Sequence, residues 1–164
     1  FNLLGPLTNP ASATHQIMGI YSRDMVEPMV RVLRNLGARR ALVVHGSDGL
    51  DEITTTGVTF LSVLDGDSII ACEIKPEEFG IPRAQESDLK GGDAAANAII
   101  TRDILKGVKG PKRDIVLLNA AFALYAAEKA GSPKEGLLLA TEALDSGKAM
   151  AKLDALKEFT HREP

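Results

Sequence analysis

The amino-acid sequence predicts an α/β fold with a mixed central sheet. The first half of the chain alternates strand and helix signals, and two of its apolar runs are separated by a tight turn. The second half, from Gly92 onward, is alanine-rich and helical in texture. A strand–helix–strand unit, a hairpin and a run of helices together are typical of layered α/β folds.

The size and composition favour one globular domain. The chain has 164 residues, of which 45% are apolar and 25% charged, and a domain typically has ~100–200 residues. A net charge of −3 argues against a nucleic-acid partner, which would require a basic surplus. No window approaches the ~18 apolar residues of a membrane span. The single cysteine excludes an intramolecular disulfide and fits a reducing compartment. Together with the lack of a long apolar window, it leads us to expect a cytoplasmic protein without membrane contacts.

The first residues differ from the rest. Residues 1–13 contain two prolines, a glycine and two asparagines, which predicts an irregular segment. The regular pattern begins at residue 14, so we assign a single α/β domain to residues 14–164. The apolar start without an initiator methionine suggests a fragment of a longer protein.

A strand–helix–strand unit follows this segment. Residues 15–21 are strand-like, and residues 41–45 form the unbroken apolar run that is typical of a strand buried on both faces. Between them, Asp24 and Glu27 have the spacing of a capping box at the start of a helix. Gly37 is placed to end that helix.

Two further strands are predicted to pair as a hairpin. They cover residues 59–64 and 68–74, and the sequence Asp65-Gly66-Asp67 between them favours a tight turn. Cys72 lies in the second of these runs. We expect it to be a small core residue rather than a nucleophile.

The remainder of the chain predicts a loop and four helices. Residues 76–91 are rich in proline, glutamate and glycine, which indicates a loop with short helical turns. Residues 115–127 are apolar almost all round, so we expect that helix to be buried at the centre. Asn119 within it needs polar partners, and we expect it to tie the helix to a loop. The four helices are predicted from Asp93 to Gly107, Pro111 to Ala127, Ser132 to Ser146, and Lys148 to Thr160.

The clearest candidate for chemistry is the loop His45-Gly46-Ser47-Asp48-Gly49-Leu50-Asp51-Glu52. It follows a buried strand, and ligands gather at strand ends in open α/β sheets. Three of its residues carry carboxylates, whose mutual repulsion a cation would offset. Mg²⁺ commonly takes one or two protein carboxylates and completes its shell with water and phosphates. The residues alone leave two alternatives open, a magnesium site at Asp51 and Glu52 or a solvated acidic turn.

Other motifs are less specific. Gly91-Gly92-Asp93 before a helix could present N–H groups to an anion, but we favour its interpretation as a capped helix start. The sequence has neither GxxxxGK[ST] nor GxGxxG, so the common nucleotide-binding loops are absent. The three histidines have no His or Cys at zinc spacing. No role is assigned to His45 or Asp48.

Several long blocks closely resemble the anthranilate phosphoribosyltransferase family. They cover essentially the whole chain in the family's order and spacing. The blocks are FNLLGPLTNPA at 1–11, VVHGSDGLDEI at 43–53, GGDAAANA at 91–98, LKGVKGPKRDIVLLNAAFALYAA at 105–127 and EGLLLATEALDSGKAMAKLDAL at 135–156.

The resemblance implies an enzyme of tryptophan biosynthesis. It would transfer phosphoribose from phosphoribosyl pyrophosphate to the amine of anthranilate, with Mg²⁺ as cofactor and pyrophosphate as the second product. Asp51 and Glu52 match the family's magnesium pair, and Gly5 and Pro6 match the hinge that lines the anthranilate channel. No catalytic residue is assigned.

The same resemblance implies a mainly parallel sheet and a missing N-terminal helical domain. The family's GTGGD-type and KHGNR-type substrate loops do not occur in this sequence, so we expect the chain alone to be inactive. Full-length family members pair through the helical domain as homodimers, whereas this chain could remain a monomer with its apolar first residues exposed. Two alternatives stay open: a pyrimidine nucleoside phosphorylase-like domain and a non-catalytic binding or structural domain.

Overall fold

The computed structural model describes residues 3–161. Its centre is a four-stranded sheet in which neighbours along the chain are neighbours in space, in the order β1-β2-β3-β4. Strands β1 and β2 are parallel, and the other two pairs are antiparallel. The strands are β1 (His15–Gly19), β2 (Arg40–Gly46), β3 (Thr59–Asp65) and β4 (Ser68–Ile74).

The α/β class and the mixed sheet are confirmed, but the expectation of a mainly parallel sheet is wrong for the described residues. Parallel neighbours require a crossover connection, and only the β1–β2 link contains a helix. The β3–β4 link is the predicted tight turn at Gly66, and the loop after β2 also reverses the chain direction. The connections therefore explain why one of the three pairings is parallel.

Helices cover both faces of the sheet. Helix α2 (Val26–Asn35) packs on one face and helix α5 (Pro111–Ala126) on the other. Along β2, Val43 packs on the α2 side, whereas Leu42 and Val44 pack on the α5 side. Successive side chains of a strand point to opposite faces, so an unbroken apolar run is what a doubly covered strand requires. The predicted burial of this strand is confirmed.

The start of the chain contains two differences from the sequence predictions. The segment predicted as irregular contains one short helix, α1 (Leu4–Leu7), while Phe1 and Asn2 lie outside the described residues. Asp24 does not cap α2, because it lies inside a 3-10 turn, Arg23–Met25, that precedes that helix. The residue that flanks the start of the turn is Ser22. The predicted helix end at Gly37 is confirmed by its φ of +89°.

Two of the helices in the second half begin at the caps that the sequence predicts. The carboxylate of Asp93 accepts a hydrogen bond from the Ala96 N–H, and the hydroxyl of Ser132 accepts one from the Glu135 N–H. The elements are a 3-10 turn at Pro76–Phe79, α3 (Glu86–Leu89), α4 (Ala94–Leu105), α5, α6 (Pro133–Asp145) and α7 (Lys148–Thr160). None of the helices in residues 3–161 is both long and apolar enough to cross a membrane.

Two burial predictions are wrong. Val116 on α5 is 42% exposed, so this helix is not buried all round. Helix α5 lies between the sheet and α6, where a Cβ on Gly136 would be 2.3 Å from the Ala121 carbonyl oxygen, and its remaining face is open. Cys72 is also exposed, because its strand β4 pairs on one side only and forms an edge of the sheet.

Candidate functional site

The candidate site lies at the carboxyl ends of β1 and β2. These strands are parallel, and Gly19 at the end of β1 pairs with Val44 near the end of β2. Residues 47–58 form the acidic loop, which leaves the sheet at this edge and returns as β3. Ligands of α/β proteins bind preferentially outside the carboxyl ends of strands, so the loop has the expected location for a binding site.

The centre of the acidic loop is fixed by two tertiary contacts. A Cβ on Gly19 would lie 1.5 Å from the Asp51 carbonyl oxygen, so the loop backbone rests directly on the strand. Asn119 of α5 accepts a hydrogen bond from the Ile53 N–H at 3.0 Å and donates one to the Ile53 carbonyl at 2.8 Å. The predicted tie between Asn119 and a loop is confirmed. Asp51 and Glu52 therefore stand on a fixed backbone.

Asp48 turns its carboxylate inward, toward the loop itself. One oxygen accepts a hydrogen bond from the Leu50 N–H, and the other accepts bonds from the hydroxyls of Thr54 and Thr56. Burial raises the pKa of Asp48, but these hydrogen bonds outweigh it and hold the pKa below its ordinary value. Asp48 is therefore ionised at neutral pH and internally satisfied.

Asp51 and Glu52 have the opposite character. Both are exposed and lie in bends rather than in a strand, so the backbone is irregular at the pair. Within residues 3–161, neither carboxylate takes part in a hydrogen bond or an ion pair with another residue. Free carboxylates on two adjacent residues supply hard oxygen atoms of the kind that Mg²⁺ prefers.

The pair fits an incomplete magnesium site. No group of three or more His, Cys, Asp or Glu side chains in the described part of the chain could hold a metal ion alone. Mg²⁺ usually keeps several waters and is bound through one or two carboxylates plus substrate phosphates. The arrangement therefore suits a metal that is shared with a phosphorylated ligand. The assignment of Asp51 and Glu52 as ligands stays a prediction.

A groove runs between the acidic loop and the segment after the 3-10 turn at Pro76–Phe79. The Ala84 N–H donates to the Thr55 carbonyl at 2.9 Å, which fixes the segment against the loop. No sequence signal marks this wall, because a backbone hydrogen bond between distant loops leaves no residue pattern. The groove has a volume of about 540 Å³ and is lined by Ser47, Asp48, Thr56, Arg83, Ala84, Gln85, Glu86 and Ser87.

The other predicted site residues lie elsewhere. Gly5 and Pro6 are exposed in α1, and the Gln16 side chain donates a hydrogen bond to the Pro6 carbonyl at 3.1 Å. Gln16 is near the start of β1, whereas Asp51 rests on Gly19 at its end, roughly 10 Å further along the strand. The structure thus separates the two predicted parts of the site, and the role of Gly5 and Pro6 stays a prediction.

His45 and the Gly91-Gly92-Asp93 motif form hydrogen bonds within the protein itself. His45 is half-buried, and its Nδ1 lies 2.8 Å from the Ile20 carbonyl oxygen. The Gly92 N–H donates to the Asn97 side chain at 2.9 Å, so this amide is not free for an anion. The interpretation of Gly91-Gly92-Asp93 as a capped helix start is supported by the Asp93 cap.

Comparisons with known proteins agree with this architecture. An anthranilate phosphoribosyltransferase from Geotalea daltonii is 54% identical over 161 residues, which are 98% of this chain and 46% of that protein. The crystal structure of the Thermus thermophilus anthranilate phosphoribosyltransferase has a TM-score of 0.84 at 44% identity, covering 93% of this chain and 45% of that one. The Saccharomyces cerevisiae enzyme in complex with PRPP and Mg has a TM-score of 0.80 at 28% identity, covering 92% and 44% respectively.

The chain therefore spans about half the length of the relatives it matches. The resemblance to anthranilate phosphoribosyltransferases is confirmed over nearly all of its residues. Residues 1–150 also match the model of a glycosyl transferase family, a/b domain. The mixed sheet and its covering helices agree with this match, and the chain belongs to the glycosyl transferase family as an example of its α/β domain.

Proposed function

We propose that the chain is the α/β part of an anthranilate phosphoribosyltransferase that acts in cytoplasmic tryptophan biosynthesis. The proposed reaction joins C1 of phosphoribosyl pyrophosphate to the amine of anthranilate and releases pyrophosphate. The names of relatives that are 54% identical support this activity. The structural observation that carries it is the pair of free carboxylates, Asp51 and Glu52, at the carboxyl edge of the sheet.

Asp51 and Glu52 would hold Mg²⁺ in this proposal. The yeast relative has been solved in complex with PRPP and Mg, and its fold matches this chain. Bound to the diphosphate, the metal would offset the negative charge that develops as pyrophosphate leaves. Both side chains are exposed and accept no protein hydrogen bond within residues 3–161, so their oxygens are available to the ion.

These carboxylates hold and orient rather than move protons. In the transfer, the C1–oxygen bond to pyrophosphate breaks and a C1–nitrogen bond forms, and the proton that the amine loses passes to water or to the departing pyrophosphate. The aromatic amine is uncharged at neutral pH and attacks without a strong base, so much of the rate can come from positioning the two substrates. The contact between Gly19 and the Asp51 backbone serves that purpose by fixing the pair against the sheet.

Gly5 and Pro6 would line the approach of anthranilate. They lie in the exposed helix α1, which is anchored to the sheet through Gln16. Because relatives are about twice as long as this chain, the other half of the site would come from the residues that the chain does not match. We therefore propose that the chain alone is inactive. The resemblance to family members that pair through the helical domain supports a monomer for this chain and a homodimer for the complete enzyme.

A chimera provides the direct test. The matching region of the Geotalea daltonii relative, which is 46% of that protein, is replaced by this chain. Turnover is followed as loss of anthranilate fluorescence with phosphoribosyl pyrophosphate and Mg²⁺. We expect turnover by the chimera and none by the isolated chain, with circular dichroism showing that both are folded.

Two results would contradict the proposal. If the folded chimera shows no turnover of anthranilate although the parent relative does, the proposed activity is rejected. Turnover by the isolated chain would instead reject the need for a second half. Phosphorolysis of thymidine or uridine by the chimera would support the pyrimidine nucleoside phosphorylase alternative.

A further inference from the structure

We propose that Asp48 is a positioning residue, whose carboxylate ties the acidic loop into the shape that presents Asp51 and Glu52. The inference rests on the proposed function for the role of that pair. It goes further by assigning a task to a residue whose carboxylate is bonded by donors of the loop itself.

Asp48 forms hydrogen bonds to residues that precede and residues that follow the carboxylate pair in the sequence. On the near side, its Oδ1 accepts the Leu50 N–H at 3.1 Å. On the far side, its Oδ2 accepts the hydroxyls of Thr54 and Thr56. One carboxylate thus joins the residue before the pair to two residues after it, and the intervening backbone forms a closed loop. Such a closure restricts the directions in which the two exposed side chains can point.

The backbone around Asp48 is built to receive this inward carboxylate. A Cβ on Gly46 would lie 2.4 Å from the Asp48 Oδ1 and 3.2 Å from the Thr54 Cβ, so a larger residue there would displace the Asp48 carboxylate. The Gly46 N–H also donates to the Leu50 carbonyl at 2.8 Å, which closes the same turn from the main chain. Backbone and side chain therefore favour one loop conformation.

The pattern of its partners distinguishes Asp48 from a metal ligand. A carboxylate has about four acceptor positions, and Asp48 uses three of them within the loop. Thr54 is fully buried beneath it, whereas Asp51 and Glu52 are exposed. The charge is held by donors that the loop supplies, and charge-assisted hydrogen bonds of this kind are stronger than neutral ones.

The first test measures loop order without reference to activity. Hydrogen exchange of the 164-residue chain is compared for the wild type, Asp48→Ala and the matched control Asp93→Ala. Asp93 also binds a backbone N–H through its carboxylate, but at the start of α4. We expect the hydrogen-bonded amides of Leu50, Thr54 and Thr56 to exchange at least ~10-fold faster in Asp48→Ala, as local opening of the loop requires, with strand β2 unchanged. The control should match the wild type in this loop.

The second test measures the consequence for the metal. In the active chimera, Asp48→Ala should raise the Mg²⁺ concentration for half-maximal rate by about 10-fold, the low end of the effect of outer-shell partners on metal affinity. The rate at saturating Mg²⁺ should be nearly retained, because the ligands themselves remain. Asp48→Asn should recover part of the loss, since its amide has the same shape and can donate to the two threonine hydroxyls.

The outcomes separate this inference from the proposed function. Unchanged exchange of the Leu50, Thr54 and Thr56 amides in Asp48→Ala would overturn it. So would an unchanged metal requirement in Asp48→Ala when Asp51→Asn raises that requirement, and the proposed function would then still stand. If Asp51→Asn also leaves the metal requirement unchanged, the metal assignment fails and this inference fails with it.

Discussion

Gly19 and Asp51 are in direct backbone contact, although one ends a strand and the other lies in a loop far along the chain. A Cβ on Gly19 would lie 1.5 Å from the Asp51 carbonyl oxygen and 2.5 Å from its carbonyl carbon. Gly19 has no positive φ, so the requirement for glycine is one of space and not of backbone conformation. The contact packs the acidic loop against the edge of the sheet and fixes the distance between the carboxylate pair and that edge.

Replacement of Gly19 by alanine should therefore displace the loop. The added methyl group meets main-chain atoms, which cannot rotate away, and overpacking of this kind typically costs about 1–3 kcal/mol. We expect the free energy of unfolding in urea to fall by this amount. Gly5→Ala is the control for stability alone, since a Cβ there meets nothing within 4 Å. Equal stability of Gly19→Ala and the wild type would contradict the contact.

Asn119 should contribute more to stability than Asn97, which forms the same type of contact at the surface. Asn119 bonds to both the N–H and the carbonyl of Ile53, which is fully buried. Asn97 makes the same pair of bonds to Gly92 in an exposed turn. Truncating Asn119 leaves buried groups unsatisfied, whereas water can replace Asn97. We expect Asn119→Ala to cost about 2–3 kcal/mol and Asn97→Ala less than about 1 kcal/mol.

Urea unfolding of the two variants checks this difference. Hydrogen exchange adds a local readout, since the Ile53 amide should lose protection in Asn119→Ala but not in Asn97→Ala. Equal losses of stability in both variants would mean that the loop does not depend on its tie to α5.

The metal assignment predicts an asymmetry between neighbouring acidic residues. In the active chimera, Asp51→Asn and Glu52→Gln should each raise the Mg²⁺ concentration for half-maximal rate by at least ~10-fold, equivalent to about 1.4 kcal/mol of binding free energy. Asp67→Asn removes the same charge from the exposed β3–β4 turn and should leave the metal titration unchanged. A shift of equal size in all three variants would indicate a general charge effect instead of ligation.

Local sequence patterns are sufficient to predict most of the elements. Helix α7 spans the predicted Lys148–Thr160, and the caps at Asp93 and Ser132 mark the predicted helix starts. These features depend on residues within one or two turns of each other. The predicted burial of Cys72 is wrong, because no local pattern reveals that β4 is an edge strand.

The candidate site is predictable only in part for the same reason. The residues alone leave Asp51 and Glu52 open between a magnesium site and a solvated turn, and the resemblance favours the metal. The location of the pair after β2 is as expected, whereas the irregular backbone of the pair is known only from the structure. The bonds from Thr54 and Thr56 to Asp48 are not predictable, since any of several polar neighbours could satisfy a carboxylate in a loop. The contact with Gly19 joins distant segments and leaves no local pattern either.

Acid should weaken the fold through Asp48. Burial raises its pKa, but the hydrogen bonds from Thr54, Thr56 and Leu50 outweigh burial and lower the pKa in the folded state. The unfolded chain then binds the proton more readily than the folded chain does. The contribution of Asp48 to stability is therefore complete at neutral pH, begins to fall near the unfolded pKa of about 3.9, and is lost as pH falls through the folded value.

The Asp48→Asn variant cannot titrate at this position. Its free energy of unfolding should be lower than that of the wild type at neutral pH, and it should fall less steeply below about pH 4. The two curves should approach each other in acid, where Asp48 is protonated and resembles asparagine in shape and charge. Denaturant unfolding of the metal-free chain at a series of pH values measures both curves. Parallel curves throughout would show that the hydrogen bonds of Asp48 do not favour its ionised form.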